Sequence, residues 1–199
     1  MDESVLRAMA KWPNVPAVYG WLALDRRGNW LIKRETIANA ALNAFISRNY
    51  QHDDTGRWYF QNGPQRVFVD LDYVPWVYRV TNDAHAPLAL ATHVGDAVNT
   101  LHGAWIDEQG RIVLHTDLGI GLVHDQDLDP LLLAAMIDVN GNVIEESAFD
   151  ELLAFIEQQR PIPLWLKFRD SHIRLEPIKS ADAPERFGYN PHPAEPKPK

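Results

Sequence analysis

Two short stretches of this chain hold side chains of the types and spacing that do chemistry. One is Thr92-His93-Val94-Gly95-Asp96, which places a hydroxyl, an imidazole, an open backbone N–H and a carboxylate within five residues. At the end of a strand, a loop of this composition can cradle a small polar ligand. Its plainer reading is a turn, with Asp96 as a cap and Gly95 shaping the connection. The other is Gln61-Asn62-Gly63-Pro64-Gln65-Arg66. There Gln61, Asn62, Gln65 and Arg66 crowd a hairpin tip, and a guanidinium can hold a carboxylate or phosphate in a bidentate grip. An ordinary exposed turn is the plainer reading of this stretch too.

Other chemistries find little support. His93, His102, His115 and His124 crowd the middle of the chain, but no two stand four apart and no His-Glu-x-x-His occurs, so no metal is expected. Asp125-Gln126-Asp127-Leu128-Asp129 imitates the start of a calcium loop, yet Pro130 stands where the loop needs Gly and Met136 where it needs Glu. Nucleophile-elbow, phosphate-loop and dinucleotide-binding glycine patterns are missing. With no cysteine there are no disulfides, thiolate sites or thiol nucleophiles. No catalytic residue and no cofactor is therefore expected.

The 199 residues carry a net charge of −8 with scattered Lys and Arg, which argues against a nucleic-acid partner. No uninterrupted apolar run reaches 18 residues, so no membrane span is expected. The start Met1-Asp2-Glu3-Ser4 is unlike a secretory leader, and a cytoplasmic location is the expectation.

The elements that must position the candidates are announced by one motif written four times: Asp, two free positions, Gly, Asn or Arg, then an apolar residue. The copies are Asp25–Trp30, Asp53–Trp58, Asp107–Ile112 and Asp138–Val143. Asp favours the start of a type I turn and Gly supplies the positive φ of a bulge, so each copy predicts a hairpin. The copies fall in two pairs, which predicts one unit used twice. Around them the pattern predicts a helix over 3–11, strands at 19–24 and 29–33, and a helix capped by Thr36 and running through Ile46. Strands follow at 57–61, 66–71, 76–80 and 88–92, with Trp76–Val80 at a sheet edge or a strand start after Pro75. The second unit has strands from Trp105, at 112–114 and at 119–123, then a helix opened by Asp129-Pro130. A helix capped by Ser147 comes next, and a hairpin of 164–168 with 172–175 closes the unit. The Pro-rich residues from Ala181 read as largely unfolded. Most tryptophans read as core, with Trp76 counted as an aromatic wall of a ligand cleft.

Three signatures resemble the uncharacterised bacterial proteins grouped as domain of unknown function 1285, and a related proteobacterial family of unknown function. They are Trp21–Trp30, Gln61–Trp76, and Thr92-His93-Val94-Gly95-Asp96-Ala97-Val98. In the last, the family pattern has Asn where this chain has His93. At Asn62–Arg66 the relatives carry Thr-Pro-Val-Glu-Lys. The resemblance implies an α+β fold with repeated helix-and-hairpin motifs, and a role in signalling or small-ligand sensing.

The expected fold is α+β: two similar helix-plus-antiparallel-strand repeats packed as one compact body. The expected divisions are 1–17 as helix and linker, 18–86 and 87–180 as the two units, and 181–199 as a disordered tail. The leading expectation for function is a non-enzymatic module binding a small polar or anionic ligand in a cleft between the units. Its contacts would be Gln61, Asn62, Gln65, Arg66, Trp76, Thr92, His93, Gly95 and Asp96. A rival is a small hydrolase or isomerase with His93 as base and Asp96 orienting it. A third possibility is an interaction protein, a homodimer joined through an edge at Trp76–Val80.

Overall fold

The computed structural model describes residues 1–13, 15–83, 86–144, 158 and 162–196. The fold is α+β and dominated by strands, and the chain divides into two compact units: Met1–Pro75 with Pro184–Lys199, and Trp76–Ala183. Unit 1 contains α1 (Glu3–Lys11), β1 (Val18–Leu24), β2 (Trp30–Ile32), β3 (Glu35–Thr36), α2 (Ala40–Arg48), β4 (Tyr50–His52), β5 (Trp58–Asn62) and β6 (Gln65–Leu71). Its sheet has the order β3-β2-β1-β6-β5-β4. The central pair β1 and β6 is parallel and every other pair is antiparallel.

Unit 2 contains β7 (Trp76–Asp83), β8 (Ala86–Thr92), β9 (Leu101–Ile106), β10 (Ile112–Thr116), β11 (Gly119–Val123), α3 (Leu128–Ala135), β12 (Met136–Ile137), β13 (Trp165–Phe168) and β14 (Ser171–Pro177). Its sheet runs β12-β13-β14-β9-β10-β11-β7-β8, with β14–β9 and β11–β7 parallel. Strand β7 is thus flanked by β11 and β8, so Trp76–Val80 is a strand start and not a free edge. The expected helix capped by Ser147 lies outside the described residues.

All four Asp turns are built alike. In each, the Asp backbone carbonyl accepts the Gly N–H, and Oδ1 accepts the backbone N–H groups two and four residues on. The fifth residue returns its side chain to Oδ2: Asn29 at 2.9 Å, Arg57 Nε at 2.9 Å, Arg111 Nε at 2.6 Å and Asn142 at 3.2 Å. That bond explains why the motif takes Asn or Arg there. The closing bond is charge-assisted, and it is best shielded from water at Asp53 and Asp107, whose side chains are 13% and 0% exposed. The four glycines have φ between 73° and 82°, which a side chain resists.

Two elements differ from the sequence expectation. Thr36 does not cap α2, because it pairs with Leu31 in β3. Asn39 is the cap instead, accepting the Leu42 N–H at 3.0 Å. The Pro-rich tail is folded onto unit 1: α4 (Ala183–Phe187) precedes Tyr189 and Pro193, both buried. The Asn190 N–H donates to the Gly56 carbonyl at 2.9 Å, and the Leu71 N–H to the Pro191 carbonyl at 2.8 Å. Pro191 lacks an N–H but still accepts through its carbonyl, and its neighbour Asn190 supplies the donor.

The core of unit 1 gathers Leu22, Leu24, Trp30, Ile46, Phe60 and Val69. That of unit 2 gathers Tyr78, Ile112, Val113, Leu114, Leu131 and Leu166. Each such side chain contributes about 1.5–3 kcal/mol by leaving water. Successive burial of Ile112, Val113 and Leu114 means both faces of β10 are covered, since neighbours along a strand point opposite ways.

Candidate functional site

The nine candidate residues fall four in unit 1 and five in unit 2. In unit 2 the loop at Thr92–Asp96 is occupied with holding itself. The Thr92 N–H donates to the Asp96 carbonyl at 2.8 Å, the Asp96 N–H to Thr92 Oγ1 at 3.1 Å, and the Gly95 N–H to the Thr92 carbonyl at 2.9 Å. His93 clasps β7 at Val77: its N–H donates to the Val77 carbonyl at 2.7 Å, and its Nδ1 accepts the Val77 N–H at 3.2 Å. The Nδ1 lone pair is thus committed to the backbone of β7, and Asp96 is exposed. That is not the geometry of a base and its orienter. Trp76 is buried and donates its indole N–H to the Leu118 carbonyl at 2.8 Å, with the His93 ring 5.6 Å away. These residues therefore read as a structural turn and its packing.

Unit 1 is different. The hairpin of β5 and β6 pairs Gln61 with Arg66 and Asn62 with Gln65 across the strands. Because strand side chains alternate, the two pairs point to opposite faces. The four residues that cluster in sequence thus cannot converge on one ligand. On one face, Asn62, Gln65, Phe60 and Val67 line an apolar cavity beneath α2. On the other, Gln61 and Arg66 line a smaller cavity of about 250 Å³ with Met9, Trp12, Pro13, Val15, Ala17 and Pro64.

The second cavity is the more polar of the two. Gln61 is 1% exposed. Its Nε2 donates to the Gly63 carbonyl at 2.8 Å, which fixes the amide so that Oε1 is the remaining group. That Oε1 is buried with no hydrogen-bond partner among the described residues. The guanidinium of Arg66 lies 4.6 Å over the Tyr59 ring, and it has no carboxylate within ion-pair distance among the described residues. Trp12, which lines the cavity, carries the Lys11 ammonium 4.6 Å from its ring centroid. A buried acceptor and a guanidinium therefore share one cavity, and chemically such a pair can receive a hydrogen-bond donor and an anionic group.

Among the described residues no group of three or more His, Asp or Glu side chains is placed to hold a metal ion. His102 and His115 do approach, with ring centroids 5.5 Å apart; burial, and then the neighbouring His102, hold His115 below the usual imidazole range. No helix among the described residues is long and apolar enough to cross a membrane. Sequence reasoning missed the wall of the polar cavity, because Met9 and Trp12 belong to an expected helix and its end, far from the hairpin. The isolated Arg66 opposite Gln61 was the available signal.

No curated protein matches this chain. Among solved structures, a DUF1285 family protein from Silicibacter pomeroyi DSS-3 is similar at 17% identity and a TM-score of 0.53, covering 83% of this chain and 85% of that one. At that identity the likeness shows a shared fold. A DUF1285 family protein from Shewanella baltica OS155 is similar at 16% identity over 53% of this chain and 85% of that one, with a TM-score of 0.36. The first of these likenesses bears out, at the level of the fold, the resemblance expected from the sequence signatures. A family model described as protein of unknown function (DUF2946), under the family name DUF2944, matches residues 1–194, and the chain belongs to that family.

Proposed function

We propose that this chain is a non-enzymatic binding module for a small polar anion, held in unit 1 between Gln61 and Arg66. The observation that carries the reading is the buried Gln61 Oε1 without a partner, in the same cavity as Arg66. An unsatisfied buried acceptor costs about 1–3 kcal/mol, which a ligand N–H or O–H would recover. The guanidinium would take the anionic end. The matching chemistry is a small α-hydroxy or α-amino carboxylate, and binding without turnover suits a sensing role in signalling.

The repeat is part of this reading. We infer that the two units are copies of one design, since β3-β2-β1-β6-β5-β4 and β11-β10-β9-β14-β13-β12 match place for place. Each order has a central parallel pair, an Asp turn between its first two strands and a helix between its third and fourth. At the matching hairpin Lys167 faces His172 where unit 1 has Gln61 and Arg66, so the amide–guanidinium pair is peculiar to unit 1.

The test is a thermal-shift series with lactate, glycine, alanine and inorganic phosphate. At a hundred times its dissociation constant a ligand stabilises by about 2.7 kcal/mol, a shift of several degrees. Stabilisation by one class that disappears in Arg66→Ala and in Gln61→Leu supports the proposal. A flat series, or a shift that Arg66→Ala leaves intact, overturns it.

A further inference from the structure

The opposite face of the same hairpin carries a second cavity, of about 460 Å³, lined by Val18, Trp21, Leu42, Phe45, Phe60 and Val67 among others. Its lining is almost wholly apolar, with Asn62 and Gln65 as the polar members. Gln65 is committed, donating its Nε2 to the Pro16 carbonyl at 3.0 Å.

Three observations set this cavity apart from ordinary packing. First, Val18, Trp21 and Leu22 all line it, which a regular strand cannot arrange because residues three apart face opposite ways. The register against β6 shifts between Val18 and Leu22, and Gly20 lies in that bulge at φ 69°. Bulges of this kind re-aim a side chain, and here the side chain is Trp21. Second, Trp21 and Ile32 remain 52% and 40% exposed, so two large apolar groups meet solvent at one cavity. Third, the Lys33 N–H donates to the Trp21 carbonyl at 2.9 Å, and the Lys33 ammonium lies 4.1 Å over the Trp21 ring. Lys33 has no carboxylate within ion-pair distance among the described residues.

We propose that this cavity binds a small amphipathic carboxylate, its hydrocarbon chain lying between α2 and the sheet and its head group on Lys33. A volume near 460 Å³ is the size of a small-molecule pocket, and walls on two sides suit a chain better than a flat partner. The lone ammonium on the aromatic wall gives the charge complement for the head group. The site is separate from the one proposed for Gln61 and Arg66, since adjacent residues of one strand face opposite sides.

The experiment is calorimetric titration of the full chain with decanoate. Saturable one-to-one binding is expected in the wild type. Lys33→Glu should weaken it at least tenfold, Leu42→Trp should abolish it by filling the cavity, and Arg66→Ala should leave it unchanged. Trp21→Ala, at an exposed position, should also weaken it, and serves where Leu42→Trp fails to fold. The proposal is overturned if wild type shows no saturable binding, if Lys33→Glu binds as wild type does, or if Arg66→Ala alone removes binding. Self-association by sedimentation that Trp21→Ala abolishes, in a chain that never takes decanoate, would overturn it in favour of a protein partner.

Discussion

Gly56→Ala and Gly110→Ala change the same residue of the same turn, and they should not cost the same. Both glycines stand at nearly equal backbone angles, φ 73° and 75°. A left-handed alanine costs about 1–2 kcal/mol, partly offset by about 0.4–1 kcal/mol from a less flexible unfolded chain. At Gly110 nothing lies within 4 Å of the added methyl group, so a net loss of about 1 kcal/mol is expected. At Gly56 the methyl would run into the Gly188 carbonyl oxygen and meet the Tyr189 Cα at 3.0 Å. Both are backbone, so the tail itself must lift. Lifting it gives up the Asn190-to-Gly56 and Leu71-to-Pro191 bonds, about 0.5–1.5 kcal/mol each, and the burial of Tyr189, about 1.5–3 kcal/mol. The extra loss should be about 3 kcal/mol, or about 6–12 °C in the unfolding midpoint. Urea denaturation of both variants measures it, and limited proteolysis should find new cuts after residue 183 in Gly56→Ala alone. Equal losses in the two variants, to within about 0.5 kcal/mol, with no new cut, would refute the account of how the tail is seated.

Three further outcomes follow from named bonds. Burial pushes the Asp53 carboxyl up, but the Arg57 side chain, Thr55 and two backbone N–H groups outweigh it and hold the group far below the usual carboxylate range. Its stabilisation is therefore present above the ordinary value of 3.8 and is lost as pH falls below it. Denaturation from pH 6 to 2 should find Asp53→Asn less stable than wild type at the upper end, with the gap closing downward. Removing the α2 cap in Asn39→Ala should cost about 1 kcal/mol by thermal unfolding, whereas Thr36→Ala should cost well under half of that. Tyr78→Phe removes a buried hydroxyl that bonds Thr116 Oγ1 at 2.7 Å and the Gly119 carbonyl at 2.9 Å, so a loss of about 1–3 kcal/mol is expected in chemical denaturation.

Local signals were readable in the sequence and long-range ones were not. The Asp turns stood out because all their bonds lie within five residues, although the return of Asn29, Arg57, Arg111 and Asn142 to Oδ2 explains the motif only once it is seen. Thr36 and Asn39 are both cap-forming types, Asn the better, and the pairing of Thr36 with Leu31 takes Thr36 out of the role. The tail reads as unfolded by composition because its partners, Gly56 and Leu71, lie more than a hundred residues away. At the candidate site, period-two alternation already separates Gln61 and Arg66 from Asn62 and Gln65. Grouping them by nearness in sequence hid that. Trp21 sits in a stretch whose apolar residues follow one another, so no pattern marks it as the exposed one, and the bulge that turns it depends on pairing with β6.

The route of the chain through unit 1 bears on its synthesis. Leu71 ends the last strand of that sheet, and its backbone N–H takes its acceptor from Pro191, about 120 residues later. At roughly 5–20 residues per second, a ribosome needs about 6–24 s to supply that acceptor. Through that interval the Leu71 N–H and the Gly56 carbonyl are without their two tail partners. Completion of unit 1 is therefore tied to residues translated about 120 positions after Leu71.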